Sequence, residues 1–222
     1  MLRGYFTEPS GGPETRKPSG GSEGAEHMDM DKNSGGRNAR RRNLRRLTEG
    51  AVMVAVAQVL SMIILWKLPQ GGAVCLGMLP IFLYAVRWGL GPGLMSGFVL
   101  GVLQFLSDGG IALGWQSIIG DYLVAYAALG LAGICHGWKY GVFPGTLIGS
   151  AARFLVHYVV GATVWKEYMP PEFFGLTMTS PWFYSLLYNG SYMALDMLLC
   201  LLVFALLQKP MGKYLVGDDI RA

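Results

Sequence analysis

Four residues in one apolar run have the types and the spacing to build a polar wall. Arg153, His157, Gly161 and Trp165 recur at every fourth position and so share one stripe of an α-helix. The rest of residues 152–165 is almost entirely apolar. A charged or ionisable group in such a span costs roughly 2.5–3.5 kcal/mol even on a lenient insertion scale, so it turns toward protein or a watery cavity. Other apolar segments carry Asp121 with Tyr122, Tyr184, Asn189 and Asp196. A carboxylate, an imidazole, an amide and several aromatic rings suit a small cationic heteroaromatic ligand. The rings stack on it, the carboxylate meets its charge, and the amide reads its hydrogen-bonding edge. The competing role for the charges is an ion pair from Arg153 to Asp121 or Asp196 that staples helices, with the aromatics marking the membrane interface.

The elements that position these groups are membrane helices. The 222 residues are 52% hydrophobic and only 14% charged, with mean hydropathy +0.38, too apolar for an ordinary soluble domain. A spanning helix needs about 20 apolar residues, fewer when protein encloses it. Six segments qualify: residues 48–66, 72–86, 90–106, 116–136, 142–165 and 182–207. The expected fold is an all-α, polytopic six-helix bundle in the cell membrane. Residues 1–46 are expected to form a flexible basic leader, 47–213 the membrane domain and 214–222 a short tail. Six arginines, Arg37, Arg40, Arg41, Arg42, Arg45 and Arg46, directly precede the first span and place the N-terminus in the cytoplasm by the positive-inside rule. An even number of spans puts the C-terminus there as well. No cleavable signal peptide is apparent, and the leader lacks the interleaved aromatics of a nucleic-acid surface.

Small residues indicate how the helices meet. The stretch from Arg87 to Gly97 repeats in form from Lys139 to Gly149, each a basic residue, an aromatic, Gly, then Pro-Gly. Each copy is expected to start a helix, with proline in its first turn. Gly89, Gly93, Gly97 and Gly101 continue as a stripe for close helix packing inside the bundle. Ala51 and Ala55 form a smooth patch on the first helix, suited either to internal packing or to docking a separate membrane subunit.

Enzymatic chemistry finds no constellation. There is no phosphate-binding G-x-x-x-x-G-K-[ST] loop and no G-x-S-x-G elbow. His27, His136 and His157 are scattered, and Cys75, Cys135 and Cys200 sit singly in apolar segments, so neither a metal site nor a redox pair is implied.

With these residues in view, the chain resembles the thiamine-specific substrate-binding subunits of energy-coupling factor transporters, the ThiT/YuaJ type. The likeness rests on His157-x3-Gly161-x3-Trp165, on residues 184–190 beginning at Tyr184 and holding Asn189, on Asp121-Tyr122-Leu123 and on the Gly-rich stretch from Leu129 to Gly133. It covers residues 47–213. It implies a protein that binds thiamine and is energised by a transmembrane coupling subunit and two ATPase subunits, with no cofactor and no enzymatic activity. It assigns Asp121, Tyr122, His157, Gly161, Trp165, Tyr184 and Asn189 to the substrate, and Ala51 and Ala55 to the coupling subunit. Three positions depart from the family pattern. Asp121 stands for a glutamate, Gly71 for a ring-stacking tryptophan that Trp66 or Trp115 could replace, and Ile111 for a tyrosine. The segment from Trp165 to Tyr184, stiffened by Pro170, Pro171 and Pro181, is a candidate lid. The alternative function is a stand-alone ion-coupled carrier or channel using Arg153, Asp121 and Asp196 as a charge relay.

Overall fold

The computed structural model describes residues 21–109 and 112–220; Ile111 lies outside them. The chain separates into Met1–Asn43 and Leu44–Ala222. The first unit contributes the start of helix α1, and the second holds the bundle.

Six helices are present among the described residues: α1 (Gly21–Met62), α2 (Leu79–Trp88), α3 (Leu90–Ser107), α4 (Trp115–Cys135), α5 (Val142–Thr163) and α6 (Pro181–Val216). Three of them, α3, α4 and α6, are long and apolar enough to cross a bilayer. Helix α2 is apolar but has only 10 residues, and α5 runs unbroken for 22 residues with Arg153 and His157 in its apolar sequence. The helices alternate in direction. One end of the bundle carries two small hairpins, β1 (Trp66–Lys67) with β2 (Ala73–Val74) and β3 (Glu172–Phe173) with β4 (Leu176–Thr177). The other end carries the C-terminal segment.

The helix limits follow local chemistry, and some differ from expectation. Helix α1 begins at Gly21, inside the stretch expected to be flexible, and ends at Met62 rather than at residue 66. Trp66 instead joins a strand, because the following Pro69 and Gly71 close a tight turn, with Gly71 at φ 98°. The second span was expected over residues 72–86. Its first residues are spent on β2, and the helix starts at Leu79 with Pro80 in the first turn, where a missing N–H costs nothing. Gly89, at φ 92°, separates α2 from α3. Both copies of the Pro-Gly repeat start helices, α3 and α5. In α6, Ser180 caps the first turn by accepting from the Phe183 amide at 3.2 Å.

The glycine stripe of α3 packs inside the bundle. A β-carbon at Gly101 would lie 3.0 Å from the Tyr122 carbonyl carbon, and one at Gly97 would lie 3.1 Å from the Ala127 Cα. Glycine therefore lets α3 meet the backbone of α4 directly. Ala51 and Ala55 are exposed on α1, while Val54 and Ala57 of the same helix are buried in the main core with Phe82, Leu100, Leu129 and Phe204.

The segment expected as a short tail is strapped to the bundle. Helix α6 kinks after Pro210, ends at the left-handed Gly217, and is followed by a turn over Asp218–Ile220. Arg87, fully buried, bonds Glu49 of α1 at 2.6 Å and Asp219 at 2.9 Å, with its guanidinium 3.5 Å above the Tyr214 ring. Arg45 also bonds Asp219. Hydrogen bonding from Arg87 holds the Asp219 carboxyl below the usual carboxylate range.

Candidate functional site

A cavity of about 620 Å³ opens among α3, α4, α5, α6 and the β1–β2 hairpin. It is lined by all seven residues singled out from the sequence: Asp121, Tyr122, His157, Gly161, Trp165, Tyr184 and Asn189. Arg153 and Asp196 line it as well, about a turn and two turns further into their helices.

Asp121 is placed by an irregular helix. Residues Ile118–Val124 wind as a π-helix within α4, a wide turn that recurs at functional sites. Both carboxylate oxygens are engaged. His157 Nδ1 lies 3.1 Å from Oδ1, and Trp165 Nε1 and Ser117 Oγ donate to Oδ2 at 2.9 and 2.8 Å. One carboxylate thus ties α5, through His157, and the residue just beyond its end, Trp165, to α4. Beneath it, Arg153 Nε donates to His157 Nε2 at 3.4 Å, and the guanidinium lies 4.1 Å from the Tyr126 ring centroid. Arg153 makes no ion pair with Asp121 or Asp196 within 4.0 Å among the described residues, so the helix staple does not form. Asp196 instead accepts the backbone N–H of Cys75 at 2.7 Å.

The opposite wall comes from α6. Asn189 donates through Nδ2 to the Ser185 hydroxyl at 3.0 Å and accepts from the Tyr192 hydroxyl at 3.1 Å. Its amide is therefore fixed in orientation. Gly161 faces this pair. A β-carbon there would lie 2.5 Å from Ser185 Oγ and 3.0 Å from Asn189 Nδ2, so its part in the site is to let α5 approach α6. Tyr122 donates to Asp108 Oδ2 at 3.2 Å at the cavity rim.

Sequence reasoning missed Tyr126, Ser185, Tyr188 and Tyr192, all of which line the cavity, and Ser117, which bonds Asp121. The tyrosines could have been found: Tyr184, Tyr188 and Tyr192 recur every four residues along α6. Neither Trp66 nor Trp115 supplies the stacking ring absent at Gly71. Trp66 stacks on Phe174 at 6.4 Å, Trp115 is exposed, and neither lines the cavity. Tyr188 holds that turn instead, donating to the Pro69 carbonyl and accepting from the Gly72 amide. The segment expected as a lid forms the β3–β4 hairpin, whose Phe173 packs edge-on to Tyr184 at 5.4 Å and also meets Tyr188.

The charged residues lining the cavity are Lys67, Arg153, Asp108, Asp121 and Asp196. The Asp121 carboxylate stands in this lining with the rings of Tyr126, Trp165, Tyr184 and Tyr188. A carboxylate among rings suits a flat cation.

Comparison with known proteins gives the family. Residues 47–215 match the family model described as thiamine transporter protein (Thia_YuaJ). The chain is 32% identical over 193 residues to the thiamine transporter ThiT of Bacillus subtilis, covering 80% of this chain and 97% of that protein. It is 28% identical over 159 residues to the thiamine transporter ThiT of Lacticaseibacillus paracasei, covering 64% of this chain and 76% of that protein. Its fold matches the solved structure of ThiT from Listeria monocytogenes with TM-score 0.69 and 25% identity, covering 78% of this chain and 98% of that one.

Proposed function

Because the chain belongs to the Thia_YuaJ family of thiamine transporter proteins, we propose that this multi-pass membrane protein serves thiamine uptake as the subunit that captures the vitamin. It binds thiamine in the Asp121–His157–Trp165 cavity and delivers it through a complex with a transmembrane coupling subunit and two ATPases. The observation that carries the ligand is the Asp121 carboxylate, held by His157, Trp165 and Ser117 and set among the aromatic rings of the cavity, which complements the fixed positive charge of a thiazolium. Asp121 offsets that charge, Trp165 and the α6 tyrosines offer faces for its rings, and Asn189 presents an oriented amide edge. Ala51 and Ala55, exposed on α1, are the surface for the coupling subunit, and both termini lie in the cytoplasm. The chain carries no phosphate-binding loop of its own, which is why the energy must come from partners.

The test is isothermal titration of the detergent-purified protein with thiamine, with tryptophan quenching followed in parallel. Submicromolar binding that Asp121→Asn and His157→Ala weaken supports the assignment. A folded protein that does not bind thiamine overturns it.

A further inference from the structure

A buried arginine in a site that attracts a cation needs an explanation, because its charge opposes the ligand. Arg153 is 8% exposed and lines the cavity. It forms no ion pair within 4.0 Å among the described residues. Its guanidinium is held over the face of Tyr126 at 4.1 Å, and its Nε–H points at His157 Nε2 at 3.4 Å. An arginine nitrogen can only donate, so His157 Nε2 must be the acceptor. The single imidazole proton is then on Nδ1, the atom 3.1 Å from Asp121 Oδ1, where it donates to the carboxylate. The backbone carbonyl of His157 accepts from Asn189 Nδ2 at 3.3 Å, which leaves the ring nitrogens to Arg153 and Asp121.

From this we infer that Arg153 is a positioning residue that locks His157 as the neutral Nδ1–H tautomer and so preserves the negative charge of Asp121 for a cationic ligand. An imidazolium would aim an Nε2–H at a guanidinium N–H, donor against donor. It would also place a full positive charge beside Asp121, against a cationic ligand. Among the described residues, Asp121 and Tyr126 on α4 and Tyr192 and Asp196 on α6 also line the cavity, and none of them bonds Nε2. The arginine therefore costs one unit of repulsion and prevents a second, closer one. The consequence for binding rests on the proposed capture of thiamine, whereas the tautomer does not.

The full chain has three histidines, His27, His136 and His157, so 15N-histidine labelling in detergent gives three sets of ring signals, and His157→Ala identifies the relevant one. The wild type without ligand is expected to show a pyrrole-like Nδ1 and a pyridine-like Nε2 at His157. Arg153→Met is expected to shift that set toward the imidazolium and to weaken thiamine binding by on the order of ten- to a hundredfold. Arg153→Lys, which keeps a donor, is expected to restore the tautomer and most of the affinity. An Nε2–H or doubly protonated His157 in the wild type overturns the inference. So does an Arg153→Met protein that loses affinity while its His157 signals stay unchanged. Absence of thiamine binding by the wild type counts against the vitamin assignment alone, and the His157 signals still decide the role of Arg153.

Discussion

Asp121 accepts from three side chains across its two oxygens, so each donor shapes the charge that meets a ligand. Trp165 contributes twice, as a ring at the cavity and as the Nε1–H on Oδ2. The two contributions are separable. Trp165→Phe keeps a stacking face but removes the donor and is expected to weaken thiamine binding by about 1 kcal/mol. Trp165→Ala removes both and is expected to cost about 2–4 kcal/mol, in the range of aromatic hot spots. Equal losses in titrations of the two variants would refute the stacking role. Gly161→Ala acts through packing. Its new methyl would sit 2.5 Å from a Ser185 hydroxyl already committed to the Tyr158 carbonyl and to Asn189. Overpacking of this kind typically costs about 1–3 kcal/mol, so thermal melting is expected to fall and thiamine affinity with it, because Asn189 must move.

At the scale of elements, the strap formed by the end of α6 makes a pH-dependent contribution. The Asp219 carboxyl is held below its usual range by Arg87, so folding favours its ionised form. That stabilisation is present at neutral pH and is lost as pH falls through the lowered value. The melting difference between wild type and Asp219→Asn is therefore expected at pH 7 and should disappear in strong acid; a difference that grows in acid would contradict the sign. The same strap marks a limit of the sequence. Six apolar segments and the glycine stripe were legible because lipid imposes length and periodicity, and the stripe of Arg153, His157, Gly161 and Trp165 was legible because four-residue spacing fixes one helix face. Arg87 read only as a charge at a helix end, since its partners Glu49 and Asp219 lie 38 and 132 residues away. The π-turn that aims Asp121 left no periodic trace, and the strands at Trp66 and Ala73 were absorbed into apolar runs long enough to pass for helix. Distant pairing and backbone irregularity, which no local pattern encodes, account for most of what was missed.

For the molecule as a whole, the division between capture and energy makes a prediction that separates the proposed function from an ion-coupled carrier. Lys67, Gly71 and Asp108 line the cavity toward the hairpin end, and Arg153, Asp196 and Tyr192 line it further along α5 and α6. On the proposed function, the isolated protein in proteoliposomes should bind radiolabelled thiamine to saturation without accumulating it, under a proton or a sodium gradient. Adding a coupling subunit and two ATPases should give uptake that depends on ATP. Replacing Ala55 with Leu should leave titrated affinity within about twofold, because that face points away from the cavity and surface changes usually cost less than 0.5 kcal/mol, yet it should abolish ATP-driven uptake by spoiling the smooth face. Accumulation by the isolated protein under an ion gradient would establish the carrier instead. Loss of thiamine affinity in Ala55→Leu would show that α1 shapes the site rather than docking a partner.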